Sequence, residues 1–175
     1  MPAAAFIKKL KKVRIFICDV DGVLTNGTVV MGDGKEYKSF NIQDGLGLIL
    51  LMRMGMQVAW VSNRPSSVTQ QRARELGITH LIQGKENKVQ AIESLLAKEN
   101  FKWADVCYIG DDVVDLGALK RAAVSVAVAN AIDEVKKLAD YVTRARGGEG
   151  AVRETVRLLL NAQGKWQELI KFFSA

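Results

Sequence analysis

The sequence predicts an α/β fold with a doubly wound, Rossmann-like parallel sheet, an inserted β-hairpin and no cap domain. Short apolar runs alternate with amphipathic segments along most of the chain. The apolar runs are RIFICDV, VAWVSN, HLIQG, VCYIGDD and VSVAVAN, and the amphipathic segments are 44–54, 66–76, 88–100 and 112–122. Continuous apolar strands separated by helices are typical of a parallel sheet that is covered on both faces. These runs are therefore assigned to one doubly wound sheet.

Two further elements lie outside this alternation. The stretch TVVMGDGKEYKSFN, between the first strand and the first helix, has two β-rich runs around a Gly-Asp-Gly turn and predicts a hairpin. From about residue 151 a helical tail is predicted, and at 175 residues a single domain over 1–175 is expected. The last segment, KWQELIKFFSA, carries one apolar stripe that packs either on its own domain or on another subunit.

Composition and charge narrow the class of partner. The net charge is +6, and lysines cluster at positions 8, 9, 11 and 12. A nucleic-acid-binding arm is one interpretation, but no aromatic residues interleave with the cluster. A solvated helix start on an anion-handling protein is favoured, and no nucleic-acid partner is expected. No apolar run is long enough to span a membrane and the N-terminus lacks signal-peptide order, so a cytoplasmic protein without a membrane partner is expected.

The cysteines and the single histidine do not predict a metal site. Cys18 and Cys107 each lie in an apolar run, with no other cysteine or histidine near them in sequence. Both are expected to be buried, reduced thiols. His80 is expected to be structural.

Chemically capable residues follow the predicted strands. Asp19 and Asp21 end the first strand, Ser62 ends the second, Lys88 follows the third and Asp111 ends the fourth. Ligands of α/β sheets bind at the carboxyl ends of the strands, so these side chains are expected to converge. Clustered carboxylates suit Mg²⁺, and a carboxylate can also be the nucleophile of phosphoryl transfer. A hydroxyl and a lysine can hold the phosphoryl oxygens as charge spreads over them.

With DVDGVLT, Ser62, Lys88 and GDDVVD in this order, the chain resembles the haloacid dehalogenase-like phosphatase superfamily. The resemblance implies Asp19 as nucleophile and Asp21 as general acid and then general base, with Ser62 and Lys88 completing the catalytic set. It implies Mg²⁺ as cofactor, held by Asp19, by the main-chain carbonyl of Asp21 and by Asp111. Asp112 and Asp115 would be supporting acids, with Asp115 the outer partner.

The spacing between the motifs leaves no room for a cap domain. Only a hairpin and a helix separate the first motif from Ser62, and only a helix and a strand separate Ser62 from Lys88. Such a site is open to water. To act on a small molecule, the enzyme would need a neighbouring subunit to cover it.

A narrower resemblance covers roughly residues 14–166. The stretches DVDGVLTNG, FNIQDGLG, LGITHLIQGKENK, YIGDDVVDL, VSVAVANA, ADYVTRARGGEGAVRE and LLLNAQGKW are similar to the 3-deoxy-D-manno-octulosonate 8-phosphate phosphatases. This implies hydrolysis of that sugar acid phosphate through an aspartyl-phosphate, in lipopolysaccharide biosynthesis. It also implies a homotetramer whose hairpins form a central barrel and whose C-terminal segments reach a neighbour's site. The matched substrate-binding positions are Asp21, Asn41, Ile42, Gln43, Asp44, Gly45, Arg64, Arg72 and Lys88.

Independent chemistry supports two of these positions. A sugar acid phosphate carries a carboxylate and a phosphate, which Arg64 and Arg72 could bind in bidentate fashion. The other interpretation is that Arg72 is a surface helix residue, because QRARE is polar throughout.

Two departures from the family pattern keep alternatives open. Ser62-Asn63-Arg64 stands where the family usually has Thr-Gly-Arg. Serine at position 62 retains the hydroxyl of the usual threonine. Ile49 stands where the octulosonate enzymes often carry arginine, so a phosphatase for 3-deoxy-nononulosonate 9-phosphate is an alternative. A non-catalytic regulatory domain of sugar-acid activation is a second alternative, and it would be expected to lack a catalytic acid.

Overall fold

The computed structural model describes residues 4–84 and 87–174. The ends of the predicted domain, 1–175, and Lys85 and Glu86 of the GKENK motif lie outside the described residues. Helices and strands follow in the order α1 (Ala4–Lys12), β1 (Ile15–Cys18), β2 (Val30–Gly32), β3 (Lys35–Tyr37), α2 (Ile42–Arg53), β4 (Gln57–Ser62), α3 (Ser67–Glu75), β5 (His80–Gln83), α4 (Lys88–Lys98), β6 (Val106–Gly110), α5 (Leu116–Arg121), β7 (Val124–Ala127), α6 (Asp133–Leu138), β8 (Tyr141–Val142), α7 (Ala151–Ala162) and α8 (Trp166–Ser174).

The main sheet has six parallel strands in the order β5-β4-β1-β6-β7-β8. The chain winds outward from β1 in both directions, and all four residues of β1 are fully buried between β4 and β6. The doubly wound parallel α/β fold is thus confirmed. The crevice expected of such a sheet lies at the carboxyl end of β1, where the order of the strands reverses.

Three helices begin at residues other than those predicted. α3 begins one residue later, at Ser67, because Ser66 is its cap, and the differences at α2 and α5 are larger. α2 begins at Ile42 rather than at residue 44, because Asn41 Oδ1 accepts the amides of Gln43 and Asp44 at 2.7 and 3.2 Å. α5 begins at Leu116 rather than at residue 112, after one 3₁₀ turn.

The hairpin is present as predicted, and no cap domain lies between the motifs. β2 and β3 pair with each other antiparallel as a separate two-stranded sheet. Between β1 and β4 only this hairpin and α2 intervene, and in the described part of the chain between β4 and α4, which omits 85–86, only α3 and β5 do. None of the helices in the described ranges combines the length and apolar character needed to cross a membrane.

The C-terminal tail packs on its own domain along part of its length. α7 buries Val152, Val156, Leu159 and Leu160 in the core, and α8 buries Leu169. Other apolar residues of α8 are not buried in the domain, since Phe172 and Phe173 are mostly exposed. Packing on its own domain therefore accounts for part of the apolar stripe only.

The glycine-rich loop before α7 lies against the loop that follows β1. Gly148 N donates to Val23 O at 2.8 Å. A Cβ on Gly147 would overlap the carbonyl of Gly22, which is backbone and cannot turn away. Only a glycine at position 147 lets the two loops approach this closely.

We predict that Gly147→Ala destabilises the fold. Overpacking of this kind costs roughly 1–3 kcal/mol, which corresponds to a fall in Tm of roughly 2–12 °C for a chain of this size. Thermal unfolding without added metal measures this. Gly32→Ala is the control, because a Cβ there meets nothing within 4 Å. Equal Tm values for the two variants would contradict the close-packing argument.

Candidate active site

The centre of the site is a buried ion pair between Asp19 and Lys88. Asp19 follows β1 directly and is 5% exposed, and Lys88 begins α4 and is 4% exposed. The Asn87 side chain caps α4 by accepting the amide of Val89, and this places Lys88 in the first turn. Lys88 Nζ donates to Asp19 Oδ1 and to Asp115 Oδ1, each at 2.6 Å.

Asp115 is fully occupied by donors from the protein. Tyr108 donates its hydroxyl to Oδ1 at 2.6 Å, and the amides of Asp111 and Asp112 donate to Oδ2 at 2.9 and 3.2 Å. These bonds create the 3₁₀ turn that delays α5. The hydrogen bonds to Asp115 support the expectation that this residue orients its neighbours and does not bind the metal directly. That role of Asp115 stays a prediction.

The carboxylates fit a divalent cation. Among the described residues, oxygens of Asp19, Asp111 and Asp115 lie within 4.8 Å of one another. Because Asp115 is occupied, Asp19 and Asp111 are the side chains with capacity for a hard cation such as Mg²⁺. Gly22 leaves space beside them, since a Cβ there would overlap the Asp111 carboxylate. The role of the Asp21 carbonyl as a third ligand stays a prediction.

Burial and repulsion between neighbouring carboxylates raise the pKa values of Asp19 and Asp111. Burial, with the nearby Asp115 charge, raises the pKa of Asp19 well above its usual range despite Lys88. The same two causes raise the pKa of Asp111 to about 6. For Lys88, burial alone would lower the pKa, but Asp19 and Asp115 outweigh it and raise the pKa. Burial and the Asp115 charge thus disfavour the charged forms of Asp19 and Asp111, and the single Lys88 ammonium does not offset this.

Asp21 lies between two elements. Ser62, at the end of β4, donates its hydroxyl to Asp21 Oδ2 at 3.4 Å. On the other side, Lys38 Nζ forms a 2.6 Å ion pair with Asp21 Oδ1. The Asp21 side chain is 26% exposed, whereas the Lys38 side chain has no exposed surface. Lys38 was not among the residues predicted for the site.

Glu36 connects the hairpin to the predicted substrate residue Arg64. Its carboxylate accepts from Arg64 Nη2 and from Ser66 Oγ, each at 2.8 Å, and lies 3.6 Å from Lys38 Nζ. Burial alone would raise the pKa of Glu36, but hydrogen bonds from Ser66 and Arg64 and the charge of Lys38 lower it. Glu36 was also missed, although alternation along β3 places it and Lys38 on the same face.

The remaining predicted substrate residues lie on α2 and α3. Asn41 caps α2, and Asp44 accepts the amides of Gly150 and Arg153 at 3.2 and 2.7 Å. Arg72 pairs with Glu75 at 2.9 Å and lies against Gly45, where a Cβ would crowd it. Gln43 is exposed, as is Ile42. The hydrogen bonds seen for Asp44 and Arg72 hold α7 and α3, and their roles as substrate contacts stay predictions.

A cavity of about 580 Å³ opens beside the ion pair. Lys88 lies in its wall with Val113 and Val114, and Arg121 and Glu93 form a more distant part of the lining. Asp19, Asp21, Ser62 and Asp111 are not part of this lining, so the cavity reaches the site only at Lys88.

Comparison with known families defines the class of protein first. A family model described as haloacid dehalogenase-like hydrolase matches residues 74–154. The matched segment includes Lys88, Asp111 and Asp115. Together with the doubly wound sheet, which places Asp19 at the carboxyl end of β1, this indicates a hydrolase of the haloacid dehalogenase-like class.

Individual relatives narrow the class. The chain is 44% identical over 167 residues to 3-deoxy-D-manno-octulosonate 8-phosphate phosphatase KdsC of Escherichia coli K12, covering 95% of this chain and 89% of that one. A crystal structure of the Yersinia pestis phosphatase of the same name has a TM-score of 0.92 at 42% identity, covering 94% of this chain and 90% of that one. The chain belongs to the 3-deoxy-D-manno-octulosonate 8-phosphate phosphatase (KdsC) family.

A further solved relative contains ligands. The phosphatase of the same name from Moraxella catarrhalis was solved in complex with a magnesium ion, a phosphate ion and a KDO molecule. Its TM-score is 0.94 at 38% identity, covering 96% of this chain and 97% of that chain.

We predict that Mg²⁺ stabilises the protein more strongly as pH rises through about 6. A raised acid pKa favours the folded, metal-free protein at low pH, and that contribution is lost as pH rises toward the folded pKa of about 6. Mg²⁺ requires the deprotonated carboxylates. At about 100 times Kd, Mg²⁺ adds about 2.7 kcal/mol and raises Tm by roughly 5–10 °C near pH 7.5.

At about pH 5 the rise in Tm should be no more than roughly half as large, because protons compete for the same oxygens. Differential scanning fluorimetry at the two pH values measures both shifts. Asp111→Asn is the matched variant and should lose most of the Mg²⁺ effect at either pH. A shift of the same size at both pH values would refute this account of the site.

Proposed function

We propose that this protein is a Mg²⁺-dependent phosphatase that hydrolyses 3-deoxy-D-manno-octulosonate 8-phosphate to the free sugar acid and phosphate. The observation that carries the proposal is the Asp19–Lys88–Asp115 cluster beside Asp111, at the switch point of the sheet. Family membership supports the substrate, since the E. coli and Y. pestis relatives carry that name. The M. catarrhalis complex supports both the cofactor and the product.

The first chemical step is proposed to use Asp19 and Asp21. Lys88 holds one oxygen of Asp19 and so fixes the plane of the nucleophilic carboxylate. Its attack on phosphorus forms an aspartyl-phosphate while the bond from phosphorus to the sugar oxygen breaks. Asp21, more exposed than Asp19, protonates the departing sugar oxygen.

Water then hydrolyses the aspartyl-phosphate, with Asp21 taking the proton that it needs to return to its starting state. The Ser62 hydroxyl, which contacts Asp21, and the Lys88 ammonium, which contacts Asp19, are proposed to stabilise the phosphoryl oxygens in both steps. When bound at Asp19 and Asp111, Mg²⁺ supplies the positive charge that neutralises the carboxylates and the phosphate.

Substrate recognition is proposed to use Arg64 most directly. Its Nη2 is held by Glu36, while Nη1 is buried without a hydrogen-bond partner among the described residues. A buried unpaired donor is costly unless a ligand uses it, so a substrate oxygen is its natural acceptor. The further substrate contacts are proposed from the family pattern, at Asn41, Ile42, Gln43, Asp44, Gly45, Arg72 and Lys88.

The nine-carbon alternative, 3-deoxy-nononulosonate 9-phosphate, depends on Ile49. This side chain is 40% exposed on α2 and offers no cation for a carboxylate. A non-catalytic regulatory role is disfavoured, because Asp19, Asp21, Lys88 and Asp111 are all present and Lys88 directly contacts the nucleophile.

The decisive test is kcat/KM with Mg²⁺ for the eight-carbon and nine-carbon sugar acid phosphates, measured side by side. We expect a preference for the eight-carbon substrate of roughly tenfold or more, the effect of one lost polar contact. Asp19→Asn, which keeps the shape but removes the nucleophile, should be inactive with both substrates. Preference for the nine-carbon substrate would establish the alternative, and an active Asp19→Asn would exclude the covalent mechanism.

A homotetramer in the cytoplasm is the proposed working form. The hairpin exposes Val30, Met31 and Tyr37, and α8 exposes Phe172 and Phe173, which together form apolar surface suited to subunit contacts. An uncapped site also needs a neighbour to cover it. Both cysteines are free, buried thiols, as befits a reducing compartment.

We predict that deletion of residues after Gly164 lowers kcat/KM by roughly tenfold, the effect of losing about 1.4 kcal/mol of contact to a neighbouring site. Steady-state kinetics and light scattering, which reports the oligomer mass, are the measurements. Lys171→Ala is the control, because it removes an exposed charge from α8 and leaves the aromatic residues in place. Unchanged kinetics together with an unchanged mass would show that the tail contributes to neither.

A further inference from the structure

Lys38 has an environment that its position in the sequence does not explain. It follows β3 of a hairpin whose other charged lysine, Lys35, is exposed. The Lys38 side chain is nevertheless completely buried. Burying an ammonium group is costly unless it is paired. The structure therefore has to provide compensation, and it does so at the catalytic acid.

Three groups surround the Lys38 ammonium. Its Nζ forms an ion pair with Asp21 Oδ1 at 2.6 Å that lacks hydrogen-bond geometry, lies 3.6 Å from Glu36 Oε1, and donates to Thr69 Oγ1 at 3.2 Å. Thr69 is fully buried in the first turn of α3, and Glu36 is fixed by Ser66 and Arg64. Thr69 and Glu36 thus hold the Lys38 ammonium in place, and the ammonium in turn lies against Asp21.

The two oxygens of Asp21 are consequently not equivalent. Oδ1 faces the buried lysine, whereas Oδ2 faces the Ser62 hydroxyl at 3.4 Å. Ser62 belongs to the residues that contact the phosphoryl group under the proposed function. A substrate bound there approaches the side of Asp21 on which Oδ2 lies.

We propose that Lys38 is a positioning residue for Asp21, fixing Oδ1 so that Oδ2 is the oxygen that gives the proton to the leaving alcohol. This inference rests on the proposed phosphatase activity and deepens it. Lys38 has no exposed surface, so it touches neither substrate nor solvent and acts through Asp21. Thr69 and Glu36 have the subordinate role of holding the lysine.

Leaving groups of different quality separate this role from a structural one. Phenolate is a poorer leaving group than p-nitrophenolate and depends more on protonation by a general acid. Phenyl phosphate and p-nitrophenyl phosphate have nearly the same shape, and kcat/KM for each reports the step in which the alcohol departs. Loss of acid positioning lowers kcat/KM for phenyl phosphate selectively, whereas general disruption lowers both equally.

The test uses the full-length protein with Mg²⁺ and the variant Lys38→Met, which keeps the length of the side chain but removes the charge. We expect kcat/KM to fall roughly 10- to 100-fold for phenyl phosphate, part of the 10²–10⁴-fold that a general acid contributes. For p-nitrophenyl phosphate the loss should be less than about threefold. Lys35→Met, on the opposite face of the same strand, is the matched control and should change neither value.

A double variant tests whether the effect passes through Asp21. In an Asp21→Asn background, Lys38→Met should lower kcat/KM for phenyl phosphate by no more than about twofold, because the group that it positions is gone. Equal losses with both substrates, or losses that multiply in the double variant, would overturn the proposal.

Thr69→Val provides a second variant in case Lys38→Met does not fold. It keeps the buried volume and removes only the hydroxyl that receives the Lys38 hydrogen bond. We expect the same selectivity with a smaller loss, roughly three- to tenfold for phenyl phosphate. Absence of any selectivity would again refute the role. Because aryl phosphates are the probes, this result is independent of which sugar acid the enzyme prefers.

Discussion

The organisation of this site depends on one buried cation, the ammonium group of Lys88. It lies between Asp19 and Asp115, in a cluster of three carboxylates whose oxygens fall within 4.8 Å of one another. Removing such charges from water costs several kcal/mol per ion unless partners compensate. One ammonium does not balance three carboxylates, and burial, together with the neighbouring Asp115 charge, raises the pKa values of Asp19 and Asp111. A divalent cation offsets that imbalance, so the metal requirement follows from the same interaction that holds the nucleophile.

The fold satisfies this electrostatic requirement by backbone geometry. Parallel strands bring Asp19 and Asp111 from the ends of the neighbouring strands β1 and β6, and α4 supplies Lys88 from across the crevice. The loops can approach because two positions lack a side chain. A Cβ on Gly22 would enter the Asp111 carboxylate, and a Cβ on Gly147 would enter the carbonyl of Gly22. Close packing around the acids therefore depends on the absence of a side chain at Gly22 and Gly147.

The sequence predicted those parts of the site that follow the alternation of strands and helices. Asp19 and Lys88 each come at an expected strand end or helix start, so the topology alone brings them together. Lys38 and Glu36 could not be found in this way, because the alternation in KEYK gives two faces without showing which one turns toward the domain. The cap at Asn41 was recognisable from the sequence, since asparagine before an apolar helix is a preferred N-cap. Asn41 was predicted only as a substrate contact, which stays a prediction, and its capping role is now visible.

The hairpin links the surface of the subunit to its catalytic acid. A two-stranded hairpin is marginally stable by itself, so contacts on both faces decide its position. One face places Glu36 and Lys38 on Asp21 and Arg64, while the other exposes Val30 and Tyr37, which pair across the strands. In the proposed tetramer, neighbouring subunits cover the exposed face and thereby fix the strand that carries Lys38. Under the proposed tetramer and mechanism, an enzyme without a cap would obtain its missing wall and the orientation of its proton donor from the same short element, which would connect assembly with acid catalysis.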